Sequence, residues 1–226
     1  MRVRLPQERP AEPPTGYKIA HPAVDADGGR AGFLGVSLGA AAPYRVLDDA
    51  RCVYGRRHRA PHRRCDCGFH CVTELRDAQA MLTHAEHRAA VLLDVTVLGP
   101  YIRFERGFRS ARQRVRAATV GPCRCGAEAV VLADAGWGRA GWRVLEAACP
   151  GCVGGRPRWT LAAFARLAGD GLRVCPAPGA ELPEAAPGMP ELAAEAALLQ
   201  ARLDWFQAQL ARLGRAKGGP ADDASP

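Results

Sequence analysis

Residues 52–71, CVYGRRHRAPHRRCDCGFHC, place four cysteines and three histidines within twenty positions. Thiolate sulfur and imidazole nitrogen suit zinc, which takes four such donors in a tetrahedron. Seven candidates compete for those places: Cys52, His58, His62, Cys65, Cys67, His70 and Cys71. Cys65 and Cys67 form a C-x-C pair followed by glycine, with Cys52 as the upstream partner. The fourth donor is His58, His62 or Cys71. If CGFHC continues as a strand, Cys71 lies about 13 Å beyond Cys67, four residues at roughly 3.3 Å each. That is too far to share one ion without a sharp bend.

A second set is cleaner. Cys123-x-Cys125-Gly and Cys149-Pro-Gly-Cys152 are two short knuckles separated by twenty-three residues that read as strand, Gly-rich turn and strand. A hairpin brings its two ends together, so each knuckle supplies two sulfurs to one four-thiolate site. This is a zinc-ribbon-like arrangement, with a first knuckle one residue shorter than the usual C-x-x-C. Two Zn2+ per chain is the expectation, each able to contribute on the order of 10–16 kcal/mol to folding. An iron–sulfur reading would use Cys52, Cys65, Cys67 and Cys71. The tight C-x-C and the adjacent histidines favour zinc over it.

The pattern ARC…HRAP…CDCGFH, followed some forty residues later by ERGFRSARQRV, resembles a group of uncharacterised actinobacterial proteins. These carry C…H-x-A-P…C-x-C-G-[Ile/Leu/Phe]-[Tyr/His]-Ala and a downstream strand with an ERGYR-like segment. GYKIAH at residue 16 resembles their opening Gly-Tyr segment. The resemblance covers roughly residues 16–120. It implies Cys52, His58, Cys65 and Cys67 as the ligands and places alanine where this chain has Cys71. The one carboxylate it singles out is Glu105, which is expected beside Arg103, Arg106 or Arg109. The resemblance implies a fold and a site and no activity.

Positioning these ligands requires a β-rich α+β protein. Residues 1–15 read as a disordered tail and 16–120 as a β-rich zinc-binding domain. Residues 121–175 form a zinc-ribbon-like subdomain with a short helix, opened by Thr160 and closed by Gly169. Residues 176–189 are a Pro-rich linker, 190–213 an amphipathic heptad helix and 214–226 a second disordered tail. In the first domain GFLGVSLG and VLLDVTVLG are short apolar runs bounded by glycine, and residues 100–120 alternate over a long stretch. Arg112, Arg114 and Arg116 then share one face, with Gln113, Val115 and Ala117 on the other. Residues 73–87 are the expected helix of this half, with Leu75, Ala78, Leu82 and Ala85 at helical spacing. In the C-terminal helix Leu192, Ala196, Leu199, Leu203, Phe206, Leu210 and Leu213 recur in steps of four and three, which allows a coiled coil with a second copy.

Composition limits what the chain can be. Aromatic residues are 6% of 226, so the core is built from small pieces and metals would compensate. No apolar run is long enough to span a membrane, and the polar, Pro-rich start lacks a signal-peptide core. A cytoplasmic protein is expected, its nine cysteines binding metal and not bridged. The formal charge of +8 rests on arginine, Lys18 and Lys217 being the only lysines. Such usage also follows from GC-rich coding, and two zinc–thiolate centres would lower the charge to about +5.

GVSLG at 35–39 matches a nucleophile elbow only in letters, without the large sheet and downstream triad partners that motif needs. GGRAGFLG lacks the lysine of a phosphate loop. Three function classes remain. The first is a zinc-stabilised module that meets protein partners, itself included through residues 190–213. The second is a nucleic-acid-binding regulator using Arg56, Arg57, Arg59, Arg63, Arg64, Arg112, Arg114 and Arg116. The third is a zinc enzyme, which would need an open metal position. The reading leans away from the enzyme.

Overall fold

The computed structural model describes residues 12–36, 42–139 and 141–178, together with Leu199, Gln200, Leu203, Phe206 and Gln207. Residues 1–11 of the expected N-terminal tail, Ser37, most of the linker, most of the 190–213 helix and the whole 214–226 tail lie outside them. The chain divides into two compact units, Met1–Gly179 and Ala180–Pro226. In the second, the five described residues are all helical.

The first unit is β-rich, with its strands in a single sheet. Its hub is β1 (Thr15–Asp25), which pairs along one edge with β2 (Ala31–Gly35) and β4 (Phe69–Val72). Along the other edge it pairs with β5 (Val91–Phe104) and β8 (Trp142–Ala148). The longest ladder joins β5 to β6 (Gly107–Val120). The far edge of β6 takes β4, β3 (Leu47–Asp49) and, in parallel, β10 (Arg173–Pro176). Since β4 pairs with both β6 and β1, the pairing β1–β5–β6–β4 returns to its start and closes a ring. The hairpin of β7 (Val131–Arg139) and β8 extends the sheet beyond β1, with β9 (Arg158–Thr160) against β7.

The long alternating stretch is divided by a turn at Glu105–Arg106. Arg106 fixes that turn by donating to Asp77 at 2.7 Å, while its carbonyl accepts from the Thr73 N–H. The predicted alternation in β6 holds for Arg112 to Val115 and then changes phase. Arg116 is an extra residue opposite the Asp94–Val95 step of β5, so Ala118 and Val120, not Ala117, turn inward. A bulge of one residue reverses every following side chain.

The expected helix over 73–87 is shorter. Helix α1 covers Leu75–Leu82, and a 3₁₀ turn at Ala85–His87 follows. Thr83 Oγ1 donates to the Ala80 carbonyl, and His87 Nδ1 lies 2.9 Å from the Met81 carbonyl oxygen, so side chains satisfy the last turn in place of further helix. Helix α2 (Pro150–Val153) is a single turn. Helix α3 (Leu161–Ala168) follows the sequence expectation: Thr160 Oγ1 accepts from the Ala163 N–H, and Gly169 ends it.

One core spans the segment before Val120 and the hairpin after it. Phe164 of α3 meets Phe33 of β2 edge-on at 5.8 Å, with Leu93, Val95, Val115, Leu132 and Leu145 fully buried in the same cluster. Among the described residues, Phe33 and Phe164 are the large, fully buried aromatics, and aliphatic residues with Gln113 make up the other large, fully buried side chains. The polar exceptions in this interior are informative. Gln113 is buried and accepts from Lys18 Nζ at 3.4 Å, and the Lys18 ammonium stands 4.7 Å from the centre of the Tyr44 ring.

Candidate metal centres

Between the end of β3 and the start of β4, residues 50–68 contain no helix or strand. A stretch of that length without regular structure is uncommon in a compact domain. Its ends are tied down: the Ala50 N–H donates to the Ala111 carbonyl at 2.6 Å, and Phe69 enters the β4–β6 ladder opposite Ser110. Between those anchors the donors converge. One ligand atom from each of Cys52, His58, Cys65 and Cys67 lies within 4.8 Å of all the others. Cys52 Sγ is 3.8 Å from Cys65 Sγ and 3.4 Å from His58 Nε2.

The dimensions fit a single ion. Sulfurs about 2.3 Å from a tetrahedral metal lie about 3.8 Å apart, whereas a disulfide brings them to about 2.05 Å. All nine cysteines are free. His58 Nδ1 lies 3.2 Å from the Arg59 carbonyl oxygen and 3.8 Å from Cys67 Sγ. A proton on Nδ1 would be held by that carbonyl and would leave the Nε2 lone pair for a metal. His62 stacks on His58 at 4.5 Å, and its Nδ1 accepts from the Arg64 N–H, which makes it a turn residue beside the ligand. Cys71 stands apart in β4, its thiol pushed up by burial, and His70 points its Nε2 at the Asp66 carbonyl, 2.9 Å away. The four-cysteine set with Cys71 does not form.

The second cluster joins Cys123, Cys125, Cys149 and Cys152 within the same 4.8 Å limit, with Cys125 and Cys149 sulfurs 3.6 Å apart. The first knuckle is a turn closed by the Gly126 N–H onto the Cys123 carbonyl at 2.8 Å. The second is the start of α2, where the Cys152 and Val153 N–H groups both reach the Cys149 carbonyl at 3.1 Å. The β7–β8 ladder brings the knuckles toward each other, pairing Val131, six residues after Cys125, with Ala148, the residue before Cys149.

Charge in both clusters calls for a cation. Burial pushes the Cys123 thiol up, but N–H groups of Cys125 and Cys149 and hydrogen bonds from those thiols outweigh it and hold Cys123 down to about 6. Cys152 pays the cost of crowding: hydrogen-bonded contact with Cys125, Cys149 and Cys123 pushes it up to about 12. In the first cluster burial again opposes ionisation of Cys52, yet N–H groups of Tyr54 and Arg56, with Cys65 and His58, bring it to about 7. Burial and then Cys65 push Cys67 up to about 11. Each cluster thus ionises one thiol readily and resists ionising another, and a bound divalent ion would remove that resistance.

Two arginines that the sequence reading did not assign to either site fasten these clips. Arg109 on β6 is 5% exposed and donates through Nη1 to the Cys65 carbonyl at 2.5 Å and through Nη2 to the His62 carbonyl at 3.3 Å. Its carboxylate neighbour is Asp66 at 3.4 Å. Arg156 repeats the role at the second site, donating to the carbonyls of Cys152, Val153 and Asp134 and pairing with Glu146 at 2.6 Å. Arg156 lies four residues after Cys152 and had a local signal. Arg109 is separated from Cys65 by forty-four positions and had none.

Of the arginines singled out for nucleic acid, Arg112 and Arg116 face carboxylates, Asp49 at 3.3 Å and Asp94 at 3.9 Å. Arg56, Arg57, Arg59, Arg63 and Arg64 are exposed on the first metal loop, and Arg114 is exposed on β6. No helix among the described residues is long and apolar enough to cross a membrane. Fold and site define a β-rich α+β protein with two four-donor Cys/His clusters, each able to hold one metal ion. No family model, no curated protein and no solved structure matches the chain.

Proposed function

We propose that this protein is a zinc-stabilised binding module whose two ions are structural. The observation that carries the reading is the donor count: each cluster offers four donors at tetrahedral spacing, and four protein ligands leave zinc no open position for water or substrate. Three thiolates with an imidazole, and four thiolates, are donor sets that favour zinc over harder ions. Cys52, His58, Cys65 and Cys67 hold the first ion, and Cys123, Cys125, Cys149 and Cys152 the second. With the shells filled, the ions fix loop and knuckle geometry, and recognition falls to the surfaces they organise.

A separate surface is the helix of the second unit, where Leu199, Leu203 and Phe206 are exposed at i, i+4 and i+7. That spacing suits a second apolar helix, another copy of the chain included, and light scattering across a concentration series reads the association directly. For the ions, X-ray absorption at the zinc edge of the loaded protein is the test. The expected shell is four-coordinate, averaging about three and a half sulfurs and half a nitrogen per zinc. Oxygen in the shell would mean an open, catalytic position and would overturn the structural reading.

A further inference from the structure

The loop that carries the first cluster is unlike the rest of the surface in its charge. Between Ala50 and Cys65 it holds six arginines, Arg51, Arg56, Arg57, Arg59, Arg63 and Arg64, and no carboxylate. All six are exposed, and among the described residues none forms an ion pair. Arginines outside this run do meet carboxylates, among them Arg30, Arg106, Arg112, Arg116, Arg143 and Arg156. Coding bias explains an abundance of arginine but not its local segregation from acid.

The same loop exposes a flat ring. Tyr54 is 58% exposed, and the Arg56 guanidinium lies 5.6 Å from its centre. Arg51, Arg56 and Arg59 line an open cleft of about 460 Å³ beside Cys52 and His58. The carboxylate on its wall, Asp49, is engaged by Arg112.

We propose that this metal-ordered loop binds single-stranded nucleic acid, the arginines taking phosphodiesters and Tyr54 stacking on a base. The inference rests on the reading of the first cluster as a structural metal clip. Guanidinium groups bind phosphate oxygens bidentately, and an exposed aromatic ring among arginines is the platform on which unpaired bases stack. Duplex DNA hides its base faces, and no helix stands in this loop to enter a major groove. An anionic membrane would use the charge but leave the stacking ring without a specific role.

The test is fluorescence anisotropy of the metal-loaded full chain with labelled fifteen-nucleotide oligo-dT and oligo-U. The fifteen-base-pair duplex and phosphatidylserine vesicles serve as competitors. Binding should weaken with salt at a log–log slope of about −3.5 to −4.2, from roughly 0.7 per phosphate neutralised over five or six contacts. Tyr54→Ala should weaken it about tenfold. Arg56→Gln with Arg57→Gln and Arg59→Gln should reduce the slope by about 2. Arg76→Gln with Arg166→Gln and Arg173→Gln, an equal charge change at exposed positions elsewhere on the surface, should alter affinity less than twofold. Metal content is read on every sample. Two metals with no oligonucleotide binding, with stronger duplex or vesicle binding, or with an unchanged Tyr54→Ala would overturn this inference and leave the module standing. A wild-type chain without metal would overturn the module itself.

Discussion

The first and second clips share their parts: a C-x-C-Gly knuckle whose glycine has positive φ, a partner ligand pair, and an arginine holding ligand-residue carbonyls. They differ in what stands behind them. The second sits at the end of a hydrogen-bonded hairpin, and the backbone ladder gathers its four sulfurs. The first lies in a loop without helix or strand, and its donors come from a span of sixteen residues, Cys52 to Cys67, that no ladder organises. On the proposed reading, an ion would trim one element and be the principal support of the other. Arg109 reflects this difference, being buried and reaching across from a distant strand, whereas Arg156 is local and partly exposed.

The largest effect should come from removing a ligand. Cys67→Ser is expected to release the first ion and bring residues 50–68 to the amide-exchange rates of a free chain. Cys149→Ser should release the second ion while most of the β7–β8 ladder stays protected. Each loss draws on the order of 10–16 kcal/mol of metal-coupled folding energy, but hydrogen exchange by mass spectrometry should show unequal damage. Equal damage would break the comparison.

Next in size are the arginines. Arg109→Met leaves the Cys65 and His62 carbonyls without their donor in a buried setting, and should cost about 3 kcal/mol in denaturant unfolding. It should also lower affinity at the first site by about 10–100-fold. Arg156→Met, at a more exposed position, should cost about 1 kcal/mol and leave the first ion untouched.

The smallest expected difference separates the two glycines. At Gly68 φ is +128°, and an added Cβ would lie 2.7 Å from Arg109 Cγ, so Gly68→Ala strains the backbone and displaces the fastening arginine. Gly126 has φ +87°, so Gly126→Ala carries the backbone cost of about 1–2 kcal/mol. Gly68→Ala should exceed it by about 1 kcal/mol, and thermal melts of the two variants decide the order.

Cysteine spacing marked all four donors of the second cluster and three of the first, because ligand sets are short, local and limited by tetrahedral number. It left His58, His62 and Cys71 open as the fourth, and the resemblance favoured His58. Helix α3 was equally legible, since Thr160 and Gly169 mark its ends on the sequence itself. What escaped were effects with no local signature. The bulge at Arg116 depends on the register of β5, and the short α1 depends on side chains that close its end. Arg109 looked like one more basic residue in an Arg-rich strand. Only the β4–β6 pairing, which lays the metal loop over its side chain, gives it a role.

The central claim is that two ions, one per cluster, hold this chain together, and native mass spectrometry of protein purified without added metal tests it most directly. The expected result is two zinc ions per wild-type chain, and one in each of the Cys67→Ser and Cys149→Ser variants. A wild-type chain carrying no metal or a single ion, or iron in place of zinc, would contradict it.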